Sequence, residues 1–158
     1  MLGTFAVGKT SLIRRYVKGI FSDKYLTTMG AKVDKKTVDL GDKTVDLLLW
    51  DLNGEDRFQE LSMDYVQGTA GYLLVIDSTR RSSFEAGHHL RQKVENTIGP
   101  VPFIVVFNKS DLDQRWENQD KEIQQLKDSG WTIMHTSAKT GTGVEEVFKT
   151  LTEMIMYS

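Results

Sequence analysis

The chain has 158 residues and a formal net charge of −2, enough length for one hydrophobic core and too little charge to argue for nucleic acid or an anionic membrane. Apolar residues are 39% and charged residues 27% of it, ordinary for a globular domain, and no apolar run reaches membrane-spanning length. The absence of cysteine excludes disulfides, Cys-based zinc sites and prenyl or palmitoyl anchors among the residues given, and the start Met1-Leu2-Gly3 resembles neither a signal nor a myristoylation site. The expectation is a cytoplasmic protein, peripheral to membranes only through partners.

In chain order, KTSLIRRYV after Gly8 reads as a helix with Leu12, Ile13, Tyr16 and Val17 on one side. AKVDKKTVDL and KTVDLLLWD are two strands joined at Gly41-Asp42, which predicts an antiparallel hairpin. GYLLVID follows as a strand, then SSFEAGHHLRQKVENTI as a helix with a predicted capping box of Ser82 and Glu85. VPFIVVFN is a near-continuous apolar strand, as expected where both sheet faces are covered. NQDKEIQQLKDSG is a weaker helix, WTIMHTS a last strand, and GVEEVFKTLTEMIM a closing helix striped by Val144, Val147, Phe148, Leu151 and Ile155. Strands alternating with helices over short connections predict an α/β fold with a mainly parallel sheet.

Three motifs carry chemistry. The first is GTFAVGKT, Gly3 to Thr10, which has phosphate-loop spacing. Its glycines free backbone N–H groups to surround phosphate oxygens, and the helix behind adds its positive end. Lys9 would bridge the outer phosphates and the Thr10 hydroxyl would ligate Mg²⁺. Such a loop should follow a buried strand, yet only Met1-Leu2 precede Gly3. A sheet lacking that strand exposes its neighbours' edges, so the native chain is expected to be longer at its N-terminus, with the first strand truncated here.

The other two are FNKSD, with Asn108, Lys109 and Asp111, and TSAKT, with Ser137, Ala138 and Lys139. A carboxylate at Asp111 can accept two hydrogen bonds from the N1 and N2 donors of guanine, a pair that adenine lacks. The Lys109 stem is suited to lie over a base face, and the Ala138 N–H to donate to guanine O6. Each motif alone is weak; in this order, each after a predicted strand, they reinforce one another.

With these motifs the sequence resembles a small GTPase of the Ras superfamily over nearly the whole chain. FSDKYLTTMGAKVDKK and DYVQGTAGYLLVIDSTRRSSFE are most similar to Rab proteins, whereas WDL at Trp50–Leu52 has an Arf-like character. The resemblance implies a P-loop GTPase (G domain) over residues 1–158. Its sheet would be six-stranded and mainly parallel with one antiparallel strand, and helices would cover both faces. It implies GTP and GDP as substrate and product and Mg²⁺ as cofactor. Exchange factors, activating proteins and effectors are the partners it implies; nucleic acid is not among them. The nucleotide set would comprise Gly3, Phe5, Ala6, Val7, Gly8, Lys9, Thr10, Ser11, Phe21, Thr28, Gly54, Asn108, Lys109, Asp111, Ser137, Ala138 and Lys139. Thr28 would belong to the first switch and complete Mg²⁺ coordination with Thr10 and Asp51, while Phe21 packs on the guanine edge. In WDLNGED, the second switch, Asp51 would hold a metal-bound water and the Gly54 N–H would sense the γ-phosphate.

Leu52 and Asn53 depart from the family's common Thr-Ala pair in the second switch, and two further departures bear on hydrolysis. Glu55 stands where glutamine usually orients the attacking water, and an ionised glutamate accepts hydrogen bonds but cannot donate them. Phe5 puts a bulky ring where many relatives carry a small residue, expected either to stand in the way of an arginine supplied by an activating protein or to point outward and cover the loop. Lys9, Thr28 and Glu55 are the expected catalytic residues. The alternative is a module that holds GTP or GDP with little hydrolysis; an ATP-using enzyme is disfavoured by Asp111. His88 and His89 face different ways on their helix and have no ligand partner at metal spacing, His135 reads as a strand-end residue rather than an acid or base, and Trp116 reads as local packing rather than a partner contact.

Overall fold

The computed structural model describes residues 1–24, 28–52 and 63–157. Helix α1 (Lys9–Lys18) is followed by β1 (Ala31–Asp39) and β2 (Thr44–Leu52), a 3₁₀ turn (Met63–Val66), β3 (Tyr72–Asp77) and α2 (Arg81–Ile98). Then come β4 (Phe103–Asn108), α3 (Gln119–Asp128), β5 (Ile133–His135) and α4 (Val144–Tyr157).

Strands β1 and β2 form the predicted antiparallel hairpin, Ala31 opposite Leu52 and Asp39 opposite Thr44. Strands β3, β4 and β5 form a parallel ladder in that order. Met1 and Leu2 stand between the two groups. The Leu2 N–H donates to the Leu73 carbonyl at 2.9 Å and the Leu2 carbonyl accepts from Val75 at 2.7 Å. On the other side the Met1 amino group donates to the Trp50 carbonyl at 2.9 Å. Five strands and this two-residue bridge thus occupy the six places of the expected sheet.

Because successive strand residues face opposite ways, the parallel strands feed two cores. Leu74, Ile76, Val105 and Phe107 pack with Phe84, Leu90 and Val94 of α2 and Ile123 and Leu126 of α3. Leu73, Val75, Ile104 and Val106 pack with Leu12, Ile13 and Tyr16 of α1 and Val144, Val147, Phe148 and Leu151 of α4. Every residue of β3 is buried, which explains why that strand reads as an unbroken apolar run until Asp77. Between β2 and β3 lies a cavity of about 640 Å³, with Leu47, Leu49, Tyr72 and Phe148 in its lining. Leu48 and Trp50 are exposed.

The capping box is a correction. Helix α2 starts at Arg81 with Arg80 as its N-cap and no side-chain cap bond. Ser83 is used instead: its hydroxyl donates to the Arg80 carbonyl at 2.7 Å and accepts from the Asp77 N–H at 3.0 Å. Tying the strand end to the helix start this way begins the helix before Ser82, which leaves Glu85 to pair with Arg81 at the surface.

Candidate functional site

The phosphate-loop segment joins Leu2 to α1 and lies at the carboxyl ends of β3 and β4. Its backbone takes positive φ at Gly3, Ala6 and Gly8 (147°, 60° and 101°), the kind of turn in which N–H groups gather into an anion-binding concavity. Gly8 is required twice over, since a Cβ there would also lie 2.3 Å from the Asn108 amide nitrogen. Helix α1 begins directly after it with no side-chain cap and no acidic residue in its first turn, so its first N–H groups are available to a ligand.

Lys9 is only 6% exposed. Its ammonium donates to the Gly3 carbonyl at 2.8 Å and the Thr4 carbonyl at 3.0 Å, so the loop wraps around it. Burial pushes its pKa down to about 8, the behaviour of a cation short of a counter-anion. Next to it the Thr10 and Thr28 hydroxyls are 2.7 Å apart, and Thr28 is 3.5 Å from Asp51 Oδ2. Asp51, near the end of β2, is 2% exposed and among the described residues its Oδ1 has no hydrogen-bond partner. Burial raises its pKa, against the opposing pull of Thr10 and Lys9. Two hydroxyls and a carboxylate with an orphaned oxygen are hard oxygen donors, a set that fits Mg²⁺. Gly54 and Glu55 lie outside the described residues.

The FNKSD and TSAKT segments meet at the ends of β4 and β5. Asn108 is 1% exposed and its side chain is used internally. The amide donates to the Val7 carbonyl at 2.9 Å, while its oxygen accepts from Thr136 Oγ1 at 3.1 Å and the Ala138 N–H at 3.3 Å. It therefore ties the phosphate loop to the TSAKT segment. Asp111 is exposed and accepts from Ser137 Oγ at 2.6 Å, and that same oxygen takes the Thr140 N–H at 3.1 Å. Lys109, at φ 64°, donates to Asp77 Oδ2 at 2.6 Å. Phe21 is half-buried against the core of α1 and α4, and Phe5 is 40% exposed.

Three residues that the motifs did not single out belong to this framework. Arg15 of α1 donates to the carbonyls of Ala138 and Lys139. Asp77 holds Lys109 and Arg80, and Arg80 reaches the Phe5 carbonyl at 2.8 Å. The signal for Asp77 was present in YLLVID, a lone carboxylate closing an otherwise apolar strand; Arg15 and Arg80 read as surface cations. The remaining polar candidates are packing residues: Trp116 donates to Glu122 and stacks near Phe84 and Phe107, and His88 sits edge-on to Phe84. Among the described residues no three His, Cys, Asp or Glu side chains gather as a metal site.

The glycine-rich loop, the hydroxyl–carboxylate cluster beside it and the FNKSD and TSAKT segments gather at the carboxyl ends of a mainly parallel sheet, an arrangement that fits a P-loop nucleotide-binding domain. Residues 1–157 match the Ras family. The chain is 35% identical over 158 residues to "Ras-related protein Rab-4" of Dictyostelium discoideum, covering 99% of this chain and 77% of that one. It is 32% identical to "Ras-related protein Rab-13" of Canis lupus familiaris, covering 99% and 78%. To "Ras-related protein Rab-21" of Mus musculus it is 35% identical over 150 residues, covering 94% and 68%. The chain belongs to the Ras family and is a Rab-like small GTPase.

Proposed function

We propose that residues 1–158 form one G domain that binds GTP and GDP with Mg²⁺ and hydrolyses GTP to GDP and phosphate. Loss of the γ-phosphate then shifts the two switch segments and changes which effectors bind. The observation that carries this reading is the meeting of Lys9, Thr10, Thr28 and Asp51, with the Asp51 Oδ1 lacking a partner among the described residues. Thr10, Thr28 and Asp51 would hold Mg²⁺, which supplies charge neutralisation at the phosphates when bound. Lys9 would exchange its bonds to the Gly3 and Thr4 carbonyls for phosphate oxygens, and Thr10 and Thr28 would orient the same end of the nucleotide. Glu55 would place the attacking water. The N–H groups of Phe5, Ala6, Val7, Gly8 and Ser11 would line the phosphates and Gly54 the γ-phosphate. At the base, Asp111 would select guanine, with Phe21, Lys109, Ser137, Ala138 and Lys139 around it. Asn108 would act by holding the two loops together. Exchange factors, activating proteins and effectors are the partner classes of this reading. Its cellular setting is cytoplasmic, peripheral to membranes through partners; among the described residues no helix is long and apolar enough to cross one.

A second reading, nucleotide held with little turnover, is favoured by Phe5. Its side chain is 40% exposed, leaving a bulky group on the loop that an activating arginine, worth roughly 10³–10⁵ in rate in related systems, has to pass. Single-turnover hydrolysis of pre-bound GTP with Mg²⁺ separates the readings when the parent is compared with Glu55→Gln and Phe5→Gly. A parent at least as fast as both variants supports the switch. A parent that keeps GTP intact while the variants turn it over sinks hydrolysis and leaves the binding module.

A further inference from the structure

The Arg80 guanidinium joins a buried carboxylate to the backbone of the phosphate loop. Nε donates to Asp77 Oδ2 at 3.1 Å, and Nη2 donates to the Phe5 carbonyl at 2.8 Å. Asp77 is 2% exposed and saturated. Its Oδ2 also takes the Lys109 ammonium at 2.6 Å, and its Oδ1 takes the Thr79 N–H at 3.0 Å and hydroxyl at 2.7 Å. One carboxylate thus carries two cations, one reaching the phosphate loop and the other belonging to the base-reading motif.

The geometry points to Arg80 as a positioning residue that fixes the Phe5–Ala6 peptide of the phosphate loop and couples it, through Asp77, to Lys109. The physical reason lies in the planar trans peptide. Anchoring the Phe5 carbonyl on Arg80 fixes the Ala6 N–H of the same plane in the opposite direction. Ala6 sits at φ 60°, a conformation that a non-glycine residue holds only when its surroundings impose it. The Arg80 bond is one such constraint, delivered at the neighbouring carbonyl. A guanidinium suits the task because its fork engages two acceptors in a fixed geometry, which an ammonium cannot do. The inference rests on the nucleotide reading proposed above.

Arg80 acts at the phosphate end, so its effect must grow with the number of phosphates. The test measures dissociation constants of GMP, GDP and GTP, with Mg²⁺, for the full chain and for Arg80→Ala and Arg80→Lys. Arg80 is partly exposed, so both variants are expected to fold, which thermal melting without nucleotide checks. The expected result is GDP and GTP weakened about tenfold or more in Arg80→Ala, the loss of one charge-assisted hydrogen bond, with GMP changed least. Arg80→Lys recovers part of the loss, since it restores charge but not the fork. Equal weakening of all three nucleotides, or none, overturns the positioning role while leaving nucleotide binding intact. A parent that binds no guanine nucleotide overturns the nucleotide reading and this inference with it.

Discussion

The two ends of the site are built in opposite ways. At the base end the polar groups are satisfied by the protein itself: Asn108 bonds to Val7, Thr136 and Ala138, and Ser137 bonds to Asp111. At the phosphate end charges sit in a buried place without full compensation. Lys9 falls back on two carbonyls of its own loop, and Asp51 Oδ1 has no partner among the described residues. A buried polar atom left unpaired costs about 1–3 kcal/mol, more when charged. On the proposed reading the base end is therefore a preformed frame, while the phosphate end would gain its missing partners from an anion and a cation. Stability and ligand affinity should respond oppositely to mutation at the two ends.

The largest expected effect is at Lys9. Lys9→Met removes the loop's cation, and two lost charge-assisted bonds to phosphate correspond to at least about a hundredfold weaker GDP binding. The empty protein should melt no lower than the parent, because replacing a buried, unneutralised charge with an apolar chain of similar length is neutral or stabilising. Calorimetry with and without GDP reads both quantities. A marked drop in melting temperature of the empty variant would show that Lys9 holds the empty loop together, and the contrast between the two ends would fail.

Asn108→Ala probes the other end and should reverse the pattern. It removes the tie to Val7 and leaves the Val7 carbonyl and the Ala138 N–H without that partner inside the protein. Chemical denaturation should show a loss of about 2–3 kcal/mol, from lost bonds plus unsatisfied groups. An unaltered unfolding midpoint would mean that water replaces the amide freely. Asp111→Ala is the milder companion. Asp111 is exposed and takes one bond from Ser137, so stability should shift by no more than about 1 kcal/mol. GDP should bind about tenfold to a hundredfold more weakly and ADP should compete better than against the parent. Retained discrimination between the two bases would remove Asp111 from base reading.

The comparison also marks what the sequence could disclose. Helices α1, α2, α3 and α4 and the β1–β2 hairpin were legible because apolar periodicity and Gly41 state them locally, and the motifs then fell at strand ends. The internal use of Asn108 was not legible. It depends on Val7 and Ala138 being brought to one amide across chain separations of 101 and 30 residues. Arg15 and Arg80 look like ordinary surface cations until the fold puts carbonyls of the two loops within their reach. The capping box failed for a related reason: Ser83 had a better use at the end of β3 than Ser82 had at a helix start. Local rules foresee elements; they do not foresee which polar groups the fold will spend on joining loops.

The smallest predicted effect concerns the support behind the phosphate loop. Tyr16, on the buried side of α1, stacks on Phe148 of α4 with ring centroids 4.0 Å apart. Burial, with a smaller push from the charge of Glu145, raises its pKa to about 12, and burial raises that of Tyr72 in β3 equally, to about 12. Both phenols ionise near pH 10 in an unfolded chain. Between pH 10 and about 12 the folded protein keeps protons that the unfolded chain has released. This contribution to stability is fully present below pH 10 and is lost as pH rises through about 12. The loss is below about 3 kcal/mol per tyrosine. Tyr16→Phe should flatten about half of that alkaline decline and leave stability near pH 8 within about 1 kcal/mol. Urea midpoints taken across pH 8 to 11.5 decide it. An unchanged slope in Tyr16→Phe, with a flat profile in Tyr72→Phe, would place the alkaline weakness in β3 and clear the support of the phosphate loop.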